Sequence, residues 1–112
     1  MVDGEASDLT LRDILAAAAE GIDGVIATEA ADSSWSAAGV TFAVLTGSTA
    51  EFRLDPLVAR AALRTPDTAA SPRGPEWVAF SPAVLDDPAV DRAEAWFLSA
   101  ARLATSGSRR NR

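Results

Sequence analysis

Any chemistry in this chain has to be built from Asp, Glu, Ser, Thr, Arg and backbone amides, because the sequence contains no Cys, His, Tyr or Lys. Without Cys there is no disulfide, no thiolate nucleophile and no Cys-based metal or redox site. Without His there is no side chain whose ordinary pKa sits near neutrality and no imidazole ligand. Without Lys there is neither a Schiff base nor a phosphate-loop lysine. What remains is paired-carboxylate acid–base chemistry, which needs two acids in one cleft, one of them with a raised pKa. Asp13, Asp55, Asp87 and Asp91 stand at expected helix starts, where the helix dipole favours the charged form and lowers the pKa. Glu51, Glu76 and Glu94 lie elsewhere, and no two of them are expected to share a buried cleft. The expectation is a protein that is not an enzyme and uses no cofactor and no metal.

Other constellations have a structural and a functional reading. Asp86-Asp87 with Asp91 lacks the alternating oxygens and distal Glu of a calcium loop, and reads as helix capping. Thr46-Gly47-Ser48-Thr49 lacks the Gly-Lys pair of a phosphate loop and falls between two strands, so it reads as a hairpin turn. Trp35, Trp77 and Trp96 would make a base-stacking platform only beside a basic groove. Trp77 and Trp96 are expected in the core, and for Trp35, flanked by Ser34 and Ser36, core and surface both stay open. Arg53, Arg60, Arg64 and Arg73 are the basic residues of the middle segment. They form either a patch for an anion or acidic partner, or a solvated face with local ion pairs such as Arg53 with Glu51.

Charge and size narrow the classes further. The chain has 112 residues, 48% of them hydrophobic and 23% charged, the composition of a single folded domain. No apolar run approaches the roughly 18 residues of a membrane span. The acidic start, Met1-Val2-Asp3-Gly4-Glu5, is unlike the basic start of a secretory signal, so a cytoplasmic location is expected. Ten Arg, no Lys and 25 Ala reflect a GC-rich coding sequence rather than selected chemistry. Arg109, Arg110 and Arg112 cluster at the end, so residues 1–107 hold seven Arg against sixteen acids, nine net negative charges. Affinity for duplex DNA comes largely from cations on phosphates, so nucleic acid is an unfavoured partner.

The elements that would position these residues follow from periodicity. Residues 7–24 read as a helix with Leu11, Ile14, Leu15, Ala18 and Ile22 on one stripe, Thr10 and Asp13 forming a capping box, and Gly21 as the stop. Strands are expected at 25–29, 34–36, 40–45 and 50–54, the last two as a hairpin with Phe52 and Leu54 inward and Glu51 and Arg53 outward. Asp55-Pro56 opens a second helix, with Leu57, Val58, Ala61 and Ala62 on one side. Residues 67–75 read as loop and 76–81 as a fifth strand. Asp87-Pro88 caps a last helix over 89–104, and residues 107–112 read as a disordered, Arg-rich tail to the single 1–106 domain. The order is α-β-β-β-β-α-β-α. The fold class is α+β, a mainly antiparallel sheet of about five strands with helices packed on one face. The last helix is apolar well beyond a single face. It therefore lies in a wide groove, or it meets a second copy through Trp96 or Phe97, as a homodimer.

From residue 50 to residue 104 the sequence also resembles the TfoX N-terminal domain family. The carrying features are Ala50-Glu51-Phe52-Arg53-Leu54, a Pro-led helix, Arg73-Gly74, Trp77-Val78-Ala79-Phe80, Pro82, Leu85-Asp86-Asp87 and a helix containing Trp96. More distantly the order is similar to the YjbR group, and the whole resemblance spans residues 24–104. Two positions depart from it: Ser33-Ser34-Trp35-Ser36 stands where the family has Met-Phe-Gly-Gly, and Glu76 where a Gly precedes the Trp-Val strand. The resemblance implies a small bacterial regulatory or protein-interaction domain and carries over no catalytic residue. The alternatives are a DNA-associated transcriptional or competence regulator, as the family name implies, and a small-ligand-binding module with a pocket of ~300 Å³ or more beside the Trp residues.

Overall fold

In the computed structural model, which describes residues 9–110, Thr10 opens the first helix, α1 (Leu11–Glu20). The Thr10 hydroxyl accepts from the Asp13 amide at 3.2 Å, and the Asp13 carboxylate accepts from the Thr10 amide at 3.1 Å. The expected capping box is therefore present and satisfies two amides the helix leaves open. The helix stops at Gly21, the expected stop, and does not reach residue 24; the expected start at residue 7 lies outside the described residues. Leu11, Ile14 and Leu15 are buried.

Six strands follow: β1 (Val25–Glu29), β2 (Ser33–Ala37), β3 (Val40–Thr46), β4 (Thr49–Arg53), then α2 (Pro56–Ala62), β5 (Thr68–Ala70), β6 (Trp77–Phe80) and α3 (Asp87–Arg110). They form one antiparallel sheet in the order β1-β2-β3-β4-β6-β5. The class is α+β, and the element order is the expected one with a single addition. That addition is β5, which lies inside the expected 67–75 loop. It has three residues and pairs with β6, Ala69 opposite Ala79.

One face of the sheet carries the core. Ala43, Leu45, Ala50, Phe52, Val78 and Phe80 belong to one buried cluster with residues of all three helices. A register shift between β2 and β3, where Trp35 faces Ala43 and Ser36 faces Thr41, leaves Phe42 as the extra residue. A bulge of this kind lets two successive side chains share a side, so Phe42 joins Ala43 in the core. α2 buries Ala62 of the expected side together with Ala59, while Leu57 and Ala61 of that side are exposed.

Trp96 and Phe97 are the larger correction. Both are buried, Trp96 at 8% exposure and Phe97 fully, so neither is available as a dimer contact. Adjacent helical residues diverge by about 100°, and the sheet is wide enough to receive both. Phe97 meets Trp35 and Phe42 edge-on, with ring centroids 5.6 and 5.1 Å away, and Trp96 meets Phe80 edge-on at 5.1 Å and lies tilted against Phe52 at 6.3 Å. The surplus apolar surface of α3 thus fills a wide groove.

The cap of α3 sits one residue earlier than expected. Asp86, not Asp87, accepts from the Ala89 amide, at 3.0 Å. The helix runs to Arg110, past the expected end at residue 104. Of the expected tail, 107–110 continue the helical backbone, and 111–112 lie outside the described residues. Among the described residues no helix is long and apolar enough to cross a membrane.

The β2–β3 connection carries local strain that is open to test. Ala38 and Gly39 both have positive φ, 53° and 79°, as the twist of a two-residue hairpin requires. Glycine adopts that region freely, whereas alanine pays for it by about 1 kcal/mol. Ala38→Asn, which tolerates the region, is expected to stabilise the protein by about 0.5–1 kcal/mol and raise Tm by a few degrees. Thermal unfolding followed by circular dichroism checks this, and an unchanged or lower Tm contradicts it.

Candidate functional site

Alternation along β4 puts Ala50 and Phe52 into the core and Glu51 and Arg53 on the opposite face. Val44 of β3, opposite Glu51, lies on that second face too and falls outside the core cluster. Here sits the Glu51 carboxyl, whose titration is displaced. Glu51 has a side chain only 12% exposed, and the chain from Ser71 to Trp77 folds over to satisfy it.

The loop is closed by its own backbone. The Ser71 amide donates to the Trp77 carbonyl at 3.2 Å, and the Trp77 amide donates to the Gly74 carbonyl at 3.1 Å. Gly74 takes a φ of 151°, in the region that favours glycine. This turn brings the Ser71 hydroxyl to donate to Glu51 Oε2 at 2.6 Å while accepting from the Arg73 amide at 3.1 Å. Arg73 Nε donates to Glu51 Oε1 at 2.8 Å, and its guanidinium lies 5.6 Å from the Trp77 ring centroid. Burial is the largest influence on the Glu51 carboxyl and pushes its pKa up. The Ser71 hydrogen bond, the Arg73 hydrogen bond and the Arg73 charge together outweigh it, and the group is held below its ordinary value.

An acid held ionised by a hydroxyl and a guanidinium is a clasp, not a proton donor poised for neutral pH. Glu76 pairs with Arg53 at 3.3 Å, and Glu94 is exposed on α3. So Glu51, Glu76 and Glu94 share no buried cleft.

Two of the four middle arginines are taken by carboxylates. Arg53 and Arg73 lie on the open face, each on a carboxylate, whereas Arg60 and Arg64 are exposed on and just after α2 and make no ion pair among the described residues. The expected Arg53–Glu51 pair is replaced by two others. Arg53 is opposite Trp77 in the β4–β6 register, which puts Glu76 beside it, and Glu51 is taken by Arg73. Nothing local in the sequence indicates that Glu51 pairs across 22 positions; only the β4–β6–β5 order brings Arg73 there.

Trp35 is 2% exposed in the core, whereas Trp77, expected there, is half-buried on the open face under Arg73. The cavity beside Trp35 is about 260 Å³, and a larger one of about 500 Å³, lined by Leu9, Leu11, Arg12, Ser48, Val84 and others, contains no Trp. The pocket beside a Trp that a small-ligand module calls for is therefore smaller than expected. No protein-family model, no curated protein and no solved structure matches this chain.

Proposed function

We propose that the chain is a small non-enzymatic regulatory or protein-interaction domain, of the kind that its resemblance to TfoX N-terminal domains implies. The observation that carries this reading is the division of the sheet. All three helices contribute to the core on one face, while Glu51, Arg53 and Trp77 lie on the other, where the Ser71–Trp77 loop covers Glu51. A face covered by a loop rather than a helix, with its buried acid neutralised, offers surface rather than a reaction centre. A stoichiometric partner co-purifying with the full chain from its native host is the expected result; a chain that stays alone and turns over a substrate overturns the reading.

The DNA-associated alternative is tested separately. Arg12, Arg53 and Arg73 are held by Glu29, Glu76 and Glu51, and Arg92 lies against Phe80, which leaves Arg60, Arg64 and Arg102 as the exposed arginines without an ion pair among the described residues. Titration of labelled duplex at physiological salt is expected to give no binding tighter than about 10⁻⁶ M. Residual affinity should vanish in a chain ending at Ser106, which lacks Arg109, Arg110 and Arg112. Tight binding by that shortened chain favours the DNA-associated reading.

A further inference from the structure

The two edges of the sheet are built differently. At one edge β5 has three residues between Pro66 and Pro72 and is entered through Asp67, whose φ is 66°. Short length and flanking prolines are devices that keep an edge from accepting another strand. At the other edge β1 has five residues with no Pro, no basic residue and no bulge, and among the described residues it pairs only with β2. Ile26, inside it, is 64% exposed.

A groove runs along this open edge. The cavity of about 260 Å³ lies between α1 and β1, lined by Ala16, Ala19 and Ala27, with Trp35, Glu20 and Glu29 also on its wall. Three alanines leave room for a long side chain. The indole Nε1 of Trp35 is buried without a hydrogen-bond partner. Glu29 is shared with Arg12, and Glu20 has no ion pair among the described residues. Asp23 and Asp32 flank β1, so residues 9–32 carry five acids against Arg12 alone.

We propose that β1 accepts an extended basic segment of a partner protein as a seventh strand. An arginine or lysine stem would lie in the alanine-lined groove beside Trp35, with its cation between Glu20 and Glu29. The proposal rests on the protein-interaction reading above and names its site and the partner's chemistry. Strand addition supplies main-chain hydrogen bonds, and side-chain pockets at alternate positions supply specificity. The aliphatic stem of a basic residue covers apolar surface while its head stays at the wet rim, where two carboxylates receive it. Charge also selects the occupant: a second copy of this chain would set the same acids against themselves, which opposes association.

The test uses the full chain and a labelled peptide alternating arginine with valine, with a glutamate-for-arginine counterpart. The arginine peptide is expected to bind and to slow amide exchange in Val25–Glu29. The glutamate peptide should not bind. The exposed double variant Glu20→Gln/Glu29→Gln, shown to be folded by circular dichroism, is expected to lose about 10-fold or more in affinity, while Glu94→Gln loses none. Equal loss in Glu94→Gln, protection outside β1, or equal binding of both peptides overturns the proposal. So does a free chain that is already a dimer with its β1 amides protected. A host partner that still co-purifies with the double variant overturns the edge site and leaves the interaction reading standing.

Discussion

Phe97→Ala is expected to remove about 3–5 kcal/mol of stability, the cost of emptying a fully buried aromatic site. Against a total of about 5–15 kcal/mol for a domain of this kind, that leaves a marginal fold. The site has little means of collapsing, because Trp35 and Phe42 meet the Phe97 ring edge-on from two strands locked in one register. Trp96→Glu should do more, since it empties a large aromatic site and sets a carboxylate against Phe52 and Phe80, where Arg92, one turn earlier, already lies against the Phe80 ring. Urea unfolding by circular dichroism separates a core role from a contact between copies. If the aromatics are core, Trp96→Glu is unfolded at neutral pH and Phe97→Ala has a sharply lowered midpoint. If they served an interface, both variants would be folded monomers. Leu98→Ala, partly exposed on the same helix, should stay within about 1 kcal/mol of the parent and serves as the control.

Features decided by near neighbours in sequence were readable there. The Thr10–Asp13 box, the Asp55–Pro56 start and the alternation of β4 each depend on residues within a turn or a pleat. Features decided by a partner strand were not. Trp35 sits between two serines, which on a strand point to the opposite face, and only pairing with β1 and β3 reveals that the Trp side is the covered one. The bulge that turns Phe42 inward exists only relative to β2. β5 is three residues long, too short to show a period, and is held by β6. The choice of Asp86 over Asp87 as cap is one of geometry between two identical side chains. The clasp itself is hidden for the same reason: Glu51 and Arg73 each stand out in the sequence as single residues, but the sheet order that joins them is not legible from near neighbours.

The same clasp sets the pH dependence expected of the fold. The Glu51 carboxyl titrates below its ordinary value in the folded state. Its ionised form therefore contributes stability that is fully present above about pH 5 and is lost as pH falls through the lowered folded value. Glu51→Gln keeps the shape and a hydrogen bond to Ser71 but gives up the charge. It should cost about 1.5–3 kcal/mol at pH 7, the range for hydrogen bonds to a charged group. That deficit should shrink toward zero in acid, where the parent's carboxyl is protonated as well. Arg73→Gln is expected to act in the opposite sense on the titration. Without the guanidinium's hydrogen bond and charge, burial is opposed by Ser71 alone, and the Glu51 carboxyl should climb, moving the loss of stability to higher pH. Urea midpoints of the three proteins between pH 3 and 7, with the Glu51 carboxyl followed by NMR, read both effects. A Glu51→Gln deficit of the same size at both ends of that range would mean that Glu51 holds the loop by shape and not by charge. A carboxyl unmoved in Arg73→Gln would take the guanidinium out of the clasp.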